Sequence, residues 1–124
     1  MDASLNVLGG PLRPCSKAPL TGWFRDGCCN TDPTDRGSHT VCAQVTVEFL
    51  EFLVATGNDL VTPAPEHGFP GLSAGDCWCV CAASWLQACE AGVACPVYLE
   101  RTHAKALRIV PLEKLMGHAI APEA

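Results

Sequence analysis

The sequence has no apolar run long enough to cross a membrane and no stretch rich in basic residues. A membrane helix needs about 20 consecutive apolar residues, and no stretch of this sequence approaches that length. The net charge is −5, and the eight lysines and arginines are scattered along the 124 residues. Proteins that bind nucleic acid concentrate such cations in a patch that neutralises phosphates. We therefore expect neither a membrane nor a nucleic acid as a partner.

The opening residues also lack the two parts of a secretory leader, a basic segment and an apolar segment behind it. They read MDASLNVLGG. We therefore expect an internal, reducing compartment, and a cytoplasmic protein. Disulfides are rare in the cytosol, so many cysteines there indicate metal binding, redox chemistry or small buried side chains.

Motifs that identify common classes of enzyme are missing as well. The sequence has no phosphate loop, no dinucleotide-binding fingerprint and no nucleophile elbow. It also has no Cys-x-x-Cys pair. The absence of these motifs leaves the reaction, if there is one, to be argued from other residues.

The composition that remains predicts a folded α+β protein. The apolar fraction is 48% and the charged fraction 17%, which is typical of globular domains and not of disordered chains. The length predicts one domain over residues 1–124, with flexible ends at 1–4 and 120–124.

Three helices are predicted from their start and stop signals. The first covers residues 47–56, with Thr46 as the N-cap and Gly57 as the stop. The second covers 82–91. The third begins at Pro111, since proline favours the first helical position.

Short strands and long loops make up the rest. Residues 77–80 predict one strand, and the alternating segments 96–101 and 106–110 predict an antiparallel hairpin. Two segments rich in glycine and proline, 8–38 and 57–75, are predicted to be ordered loops. Because loops of this length are uncommon unless they are functional or disordered, we expect the functional surface there.

Four stretches of the sequence resemble the family called domain of unknown function 2237. They contain PLTGWFRDGCCNT, HTVCAQVTVEFLEF, GFPGL and THAKAL, and the resemblance spans roughly residues 6–119. It implies a single-domain protein without a settled activity. It also implies which cysteines occupy positions where the family pattern carries or often carries cysteine: Cys15, Cys28, Cys29, Cys42, Cys79 and Cys81. The other three, Cys77, Cys89 and Cys95, depart from the pattern.

Two of the nine cysteines, Cys28 and Cys29, are adjacent in the sequence DGCCNT. Neighbouring side chains point in different directions in a strand and in a helix. Both thiols cannot face one core, so we expect at least one to meet a partner group. The first interpretation is a structural zinc site formed by Cys28, Cys29, His39 and Cys42. The spacing His39-x-x-Cys42 suits tetrahedral zinc, which prefers sulfur and nitrogen ligands.

The second interpretation is a small thiol-redox or thiol-nucleophile enzyme. Its cysteines would be Cys28 or Cys29 in the loop, or Cys79 and Cys81 near the second helix. A helix N-terminus stabilises thiolates in general, and Cys81 is predicted to lie at such a position. The catalytic candidates are therefore Cys29 and Cys81, with Asp26 or His39 as a base or orienting group.

The third interpretation is a binding domain whose cysteines are inert and buried. Its partner would be a small molecule or a protein, bound by loop residues. The candidates are Trp23, Asn58, Asp59 and His103, of which His103 is expected to be exposed in the hairpin turn. The sequence leaves these three interpretations open.

Overall fold

The computed structural model describes residues 4–120. The predicted flexible ends therefore fall largely outside the described residues, at 1–3 and 121–124. The regular elements, in chain order, are β1 (His39–Gln44), α1 (Val47–Ala55), β2 (Cys77–Cys81), α2 (Ala82–Glu90) and α3 (Leu112–Met116). Three short 3₁₀ helices cover Pro65–His67, Leu99–Arg101 and Ala104–Arg108. The prediction of an α+β fold with a short antiparallel sheet and about three helices is confirmed.

The two strands form an antiparallel pair with different chemistry on its two faces. Cys42 lies opposite Cys79 in the register, and side chains of directly opposite residues lie on the same face of a sheet. The other face carries Val41 and Val80, which are buried in the main apolar core. The sheet thus separates a layer of cysteines from the apolar core.

The helices cover the apolar side. Thr46 caps α1 by accepting the Phe49 N–H with its side chain at 3.2 Å, and Phe49, Leu50 and Leu53 are buried. On α2, the side chain of Trp85 is fully buried, and its indole N–H donates to the carbonyl oxygen of Cys95 at 3.1 Å. The predicted positions of both helices and of the Thr46 cap are confirmed.

The predicted hairpin over 96–110 is wrong. Val97 forms only isolated bridges, one of them with Ala43, and the chain then turns into two 3₁₀ helices. The hydroxyl of Thr102 bonds both the Tyr98 carbonyl and the Cys42 N–H. These side-chain and turn hydrogen bonds replace a strand ladder, although the alternating pattern favours one.

Two disulfides fasten the long N-terminal loop to the cysteine face of the sheet. They join Cys15 to Cys42 and Cys29 to Cys79. Five cysteines are free: Cys28, Cys77, Cys81, Cys89 and Cys95. The structure therefore shows an oxidised form of the chain, whereas the sequence predicted a reducing compartment.

Within residues 4–120, no helix is both long enough and apolar enough to cross a bilayer.

Candidate functional site

The site begins at the junction of β2 and α2, where Cys81 meets His39. Cys81 is the last residue of β2 and the N-cap of α2, as the sequence predicted. Its sulfur lies 3.3 Å from Nε2 of His39. The sulfur caps no backbone N–H of the helix, so its polar contact among the described side chains is the one with His39.

A β-bulge brings these two side chains together. His39 is the register partner of Cys81, but the register shifts between His39 and Val41. Thr40 is therefore an extra residue in β1. In a regular ladder without the bulge, Thr40 and not His39 would lie opposite Cys81. Bulges often re-aim a side chain next to a functional site, and this one places the imidazole beside the thiol.

A buried carboxylate orients the imidazole from its other side. Oδ1 of Asp35 lies 2.7 Å from Nδ1 of His39, and the Asp35 side chain is fully buried. The second carboxylate oxygen accepts the His39 backbone N–H at 2.9 Å and the Thr31 hydroxyl at 2.8 Å. Because both oxygens are engaged, the Asp35 carboxylate is fixed, and it fixes the ring in turn. Cys81, His39 and Asp35 form a linear thiol–imidazole–carboxylate array.

The charges of this array favour a protonated imidazole. The hydrogen bond to Cys81 raises the pKa of His39 most, and the hydrogen bond to Asp35 raises it further. Burial acts in the opposite direction, and the resulting pKa is about 9. Burial raises the pKa of Asp35, but hydrogen bonds from His39 and Thr31 outweigh it, so the net shift of this pKa is downward. An imidazolium between a sulfur and a carboxylate is the arrangement that activates cysteine nucleophiles.

Packing around the array leaves little room. A Cβ atom added to Gly37 would lie 2.9 Å from both the Cys81 sulfur and Cε1 of His39, so only glycine allows this close approach. Trp23 stacks on the outer face of the imidazole, with 5.9 Å between ring centroids and 12° between planes. The ring of His39 is thus held by hydrogen bonds in its plane and by stacking on its face.

A cleft of about 360 Å³ opens next to His39. Residues from both long loops and from β2 line it, among them Trp23, Arg25, Asp59, Leu60, Phe69 and Trp78. The Arg25 guanidinium lies over the Trp78 ring, 5.1 Å from its centroid. The cleft therefore has mainly apolar walls, a cation on one side and the imidazole of His39 at its edge.

The four residues predicted to bind zinc lie in three different settings. Cys29 and Cys42 belong to the two separate disulfides, His39 is bonded to Cys81 and Asp35, and Cys28 is a half-buried free thiol. Among the described residues, the sulfur atoms that do converge are those of Cys15, Cys29 and Cys79, all within 4.8 Å of one another.

The other predicted residues are also divided. Trp23 and Asp59 line the cleft. The side chain of Asp26 accepts the Cys28 backbone N–H at 3.0 Å, which is a local turn contact. Asn58 donates its backbone N–H to the Leu53 carbonyl after α1.

His103 does not line the cleft, and the expectation that it is exposed is wrong. Only 8% of its surface is accessible, and its Nδ1 accepts the Lys105 N–H at 3.0 Å. Burial lowers the pKa of His103, so its imidazole serves as a neutral helix cap.

Sequence reasoning missed Asp35 and did not pair His39 with Cys81. Asp35 precedes His39 by four residues in a loop, where sequence spacing carries no directional information. The pairing depends on β1, for which the β-branched residues Thr40 and Val41 gave an available signal. The extra residue of the bulge had no comparable signal.

The fold and the site together define a class of protein: a small α+β, cysteine-rich domain with a thiol–imidazole–carboxylate array at the edge of a two-stranded sheet. Residues 5–119 match the family described as "Uncharacterized protein conserved in bacteria", the domain of unknown function 2237. The chain belongs to this family, as the resemblance of its motifs indicated. No curated protein matches the sequence.

Proposed function

We propose that this protein is a small cysteine-nucleophile enzyme that catalyses acyl transfer. Cys81 is the nucleophile, His39 is the general base and acid, and Asp35 orients His39. The observation that carries the proposal is the pair of contacts on one imidazole, 3.3 Å to the Cys81 sulfur and 2.7 Å to the Asp35 carboxylate. Nucleophile, base and orienting group within hydrogen-bond reach are the geometric signature of covalent catalysis.

The half-reactions follow from these roles. The Cys81 sulfur attacks the substrate carbonyl carbon while His39 holds the thiol proton on Nε2. The bond from that carbon to its leaving group breaks, the leaving group takes the proton from Nε2, and a thioester remains on Cys81. Water then attacks the thioester with His39 as base, which releases the acid and restores the thiol.

The first turn of α2 supports the negative charge that develops on the carbonyl oxygen. The Ala82 N–H is already donated to the Ser38 carbonyl at 3.0 Å. The next two N–H groups, of Ala83 and Ser84, belong to the part of a helix that has no acceptor within it. Together with the helix dipole they favour an anion beside Cys81.

Cys81 is favoured over Cys28, the free thiol of the adjacent pair. Burial and the nearby Asp26 carboxylate raise the pKa of Cys28, which reduces the fraction of thiolate at neutral pH. Burial also raises the pKa of Cys77, and that of Cys95 to about 12. Cys81 is also half-buried, but its neighbour is the imidazolium of His39 and not a carboxylate.

The cleft supports a substrate with an apolar body. Its walls include Trp23, Phe69 and Trp78, and the Arg25 guanidinium supplies a positive charge for a polar or anionic end. His39 lines this cleft while holding the Cys81 sulfur on its Nε2. Apolar pockets with a few convergent polar groups are typical small-molecule sites.

Acyl-enzyme formation tests the proposal. The oxidised protein, in which five thiols are free, is mixed with a p-nitrophenyl ester, and released p-nitrophenol is followed together with the intact mass. We expect a burst of about one equivalent and an acyl adduct mapped to Cys81. Cys81→Ser abolishes the burst, while Cys28→Ser, the matched control at another half-buried free thiol, retains it. An adduct on Cys28 or Cys89, or a burst unchanged in Cys81→Ser, contradicts the proposal.

A further inference from the structure

A second site is formed by four cysteines at the point where the two disulfides join the N-terminal loop to the sheet. Cys42 on β1 and Cys79 on β2 lie opposite each other. Cys15 and Cys29 of the N-terminal loop are bonded to them, respectively. All four form one buried cluster with accessibilities of 5% or less. We refer to Cys15, Cys29, Cys42 and Cys79 as the sulfur cluster.

The sulfur atoms lie closer together than two independent disulfides require. Those of Cys15, Cys29 and Cys79 are all within 4.8 Å of one another, and that of Cys42 is bonded to Cys15. Zinc–sulfur bonds of about 2.3 Å in a tetrahedron place sulfur atoms about 3.8 Å apart. Once the S–S bonds are reduced, side-chain adjustments would bring the four sulfur atoms around one ion, including the Cys42 sulfur, which lies outside the group of three.

We propose that the reduced form of this protein binds one zinc ion through Cys15, Cys29, Cys42 and Cys79, and that oxidation of these cysteines releases it. The site differs from the set predicted from the sequence, with which it shares Cys29 and Cys42. None of its members belongs to the Cys81–His39–Asp35 array, although Cys79 also lines the cleft beside His39.

The burial of the four cluster cysteines is the reason to expect a zinc-bound state in addition to the disulfide-bonded one. Four buried thiols without a bond or an ion between them would leave the N-terminal loop attached to the sheet by noncovalent contacts only, such as the hydrogen bond from the Cys79 N–H to the Thr21 hydroxyl at 2.8 Å. A structural zinc ion contributes folding free energy directly, so it can hold the loop in place of two disulfides. The cytoplasmic location predicted from the sequence corresponds to this reduced state, because the cytosol keeps thiols reduced.

The exchange between the two states balances with ordinary reagents. A phosphine reductant and water convert each disulfide to two thiols and one phosphine oxide, and zinc then displaces four protons to give a tetrathiolate complex of charge −2. In the reverse direction, two hydrogen peroxide molecules and four protons accept four electrons and become four waters. Two disulfides form and one Zn²⁺ leaves. A cation lies nearby, since the Arg101 guanidinium is 4.1 Å from the centroid of the Tyr98 ring and Tyr98 packs against the sulfur cluster.

Thiol protection in the wild-type protein gives the first test. After phosphine reduction and removal of the reductant, the protein is incubated with zinc chloride or with a chelator and then alkylated. Nine cysteines are present and four belong to the cluster. We expect zinc to lower the number of alkylated cysteines by four relative to chelator, and peptide mapping to place the protected four at Cys15, Cys29, Cys42 and Cys79. Cys95 is fully buried and is not counted on either side. Equal alkylation of the four cluster cysteines under both conditions overturns the proposal.

Cobalt substitution gives a second test that does not depend on any variant. Cobalt(II) added to the reduced wild-type protein should give the visible bands of a tetrahedral ion and the near-ultraviolet charge transfer of four thiolates. An octahedral spectrum overturns the proposal, and so does a charge-transfer intensity that corresponds to fewer than three thiolates.

Variants distinguish this site from the others. Cys15→Ser should lower zinc affinity by more than about 100-fold, because even outer-shell changes cost 10- to 100-fold, while Cys77→Ser, a matched control beside the cluster, should not. Cys81→Ser and His39→Ala should keep zinc binding intact, so the proposal and the acyl-transfer function can fail separately. Zinc lost in His39→Ala but kept in Cys15→Ser would assign the ion to the set predicted from the sequence and overturn this proposal.

Discussion

His39 is contacted at both ring nitrogens, on one face of its ring and at its backbone N–H. Cys81 and Asp35 bond its two nitrogens, Trp23 stacks on its face, and its backbone N–H is held by the same carboxylate. Hydrogen bonds at both ring nitrogens favour the doubly protonated ring. This residue is therefore where the electrostatics of the site can be measured directly.

The pKa of His39 should depend on its hydrogen bonds to Cys81 and Asp35. In the wild-type protein we expect the ring to titrate with a pKa of about 9. Cys81→Ser should lower this pKa most, since the bond to Cys81 is the largest cause of its rise, and Asp35→Asn should lower it less. The Cε1–H shift of His39 in NMR spectra, followed against pH, measures the value, and His118 in the same spectra reports any general change. A wild-type value near 6.5 would contradict the array.

The lack of a side chain at Gly37 should be needed for the contact between sulfur and imidazole. In Gly37→Ala the new methyl group would lie 2.9 Å from both groups and push them apart, so Cys81 alkylation should slow by about tenfold or more. The matched control is Gly10→Ala, where the nearest atom is 3.7 Å away. Alkylation rates by mass spectrometry measure the effect, and equal rates in both variants would show that the contact tolerates a methyl group.

At the scale of residues, the sequence predicted which side chains belong to the candidate site better than it predicted which of them contact one another. His39, Cys81, Trp23 and Asp59 were singled out, and the structure places all four in or beside one cleft-edge site. Their grouping was not predictable, because it depends on a one-residue bulge and on two loops whose paths no periodicity specifies. Asp35 illustrates the difficulty, since a loop aspartate usually has a local turn role.

At the level of elements, helix signals were sufficient, whereas strand signals located β2 (Cys77–Cys81) but missed β1 and wrongly predicted a hairpin over 96–110. Helices α1 and α2 were predicted to within a residue or two, because caps and terminating glycines are local features. Segment 96–110 alternates like a strand, but only residues 96–98 pair with the free edge of β1, through the Gln44 N–H to the Pro96 carbonyl and the Tyr98 N–H to the Cys42 carbonyl. The 3₁₀ helix Leu99–Arg101 then ends the pairing. An alternating pattern predicts a half-buried segment and does not specify a ladder.

The cap of α1 should make a measurable contribution to stability. Thr46→Ala removes the acceptor of the Phe49 N–H and should lower the free energy of unfolding by about 1 kcal/mol. Thr46→Ser, which keeps a hydroxyl, should restore most of it. Urea denaturation followed by circular dichroism measures the difference. If both variants lose the same amount, the methyl group of Thr46 and not its hydroxyl is responsible.

For the molecule as a whole, the two disulfides should stabilise unequally. They join residues 27 and 50 positions apart, and the loop-closure model gives about 3.5 and about 4 kcal/mol. We expect the pair Cys29→Ala/Cys79→Ala to cost more than Cys15→Ala/Cys42→Ala in metal-free, non-reducing denaturation. The reverse order would mean that contacts in the native state outweigh the entropy of the unfolded chain.

Stability should also depend on pH through the array. The folded pKa of His39, about 9, lies above its ordinary value of 6.5, so its contribution is fully present below about pH 6.5 and is lost as pH rises through 9. Asp35 has a lowered pKa, so its contribution is present above its ordinary value of 3.8 and is lost at lower pH.

The measurement is the difference in unfolding free energy between the wild-type protein and His39→Gln, taken from pH 5 to pH 10 in non-reducing buffer. We expect the advantage of the wild-type protein to decline above neutrality. An advantage that grows as pH rises would contradict the direction of the His39 shift. Lys105→Gln, which changes a cation outside the array, serves as the control.

The bulge in β1 makes chain length as important as residue identity in this region. Because strand side chains alternate, inserting one residue between Thr40 and Val41 would leave every functional residue present and yet place Thr40 in the position that His39 now holds opposite Cys81. Loop 57–75 has no such parity, so insertions there would shift only the wall of the cleft. Among natural sequences with this fold, we therefore expect the spacing from His39 to Cys42 to tolerate substitutions but no insertion.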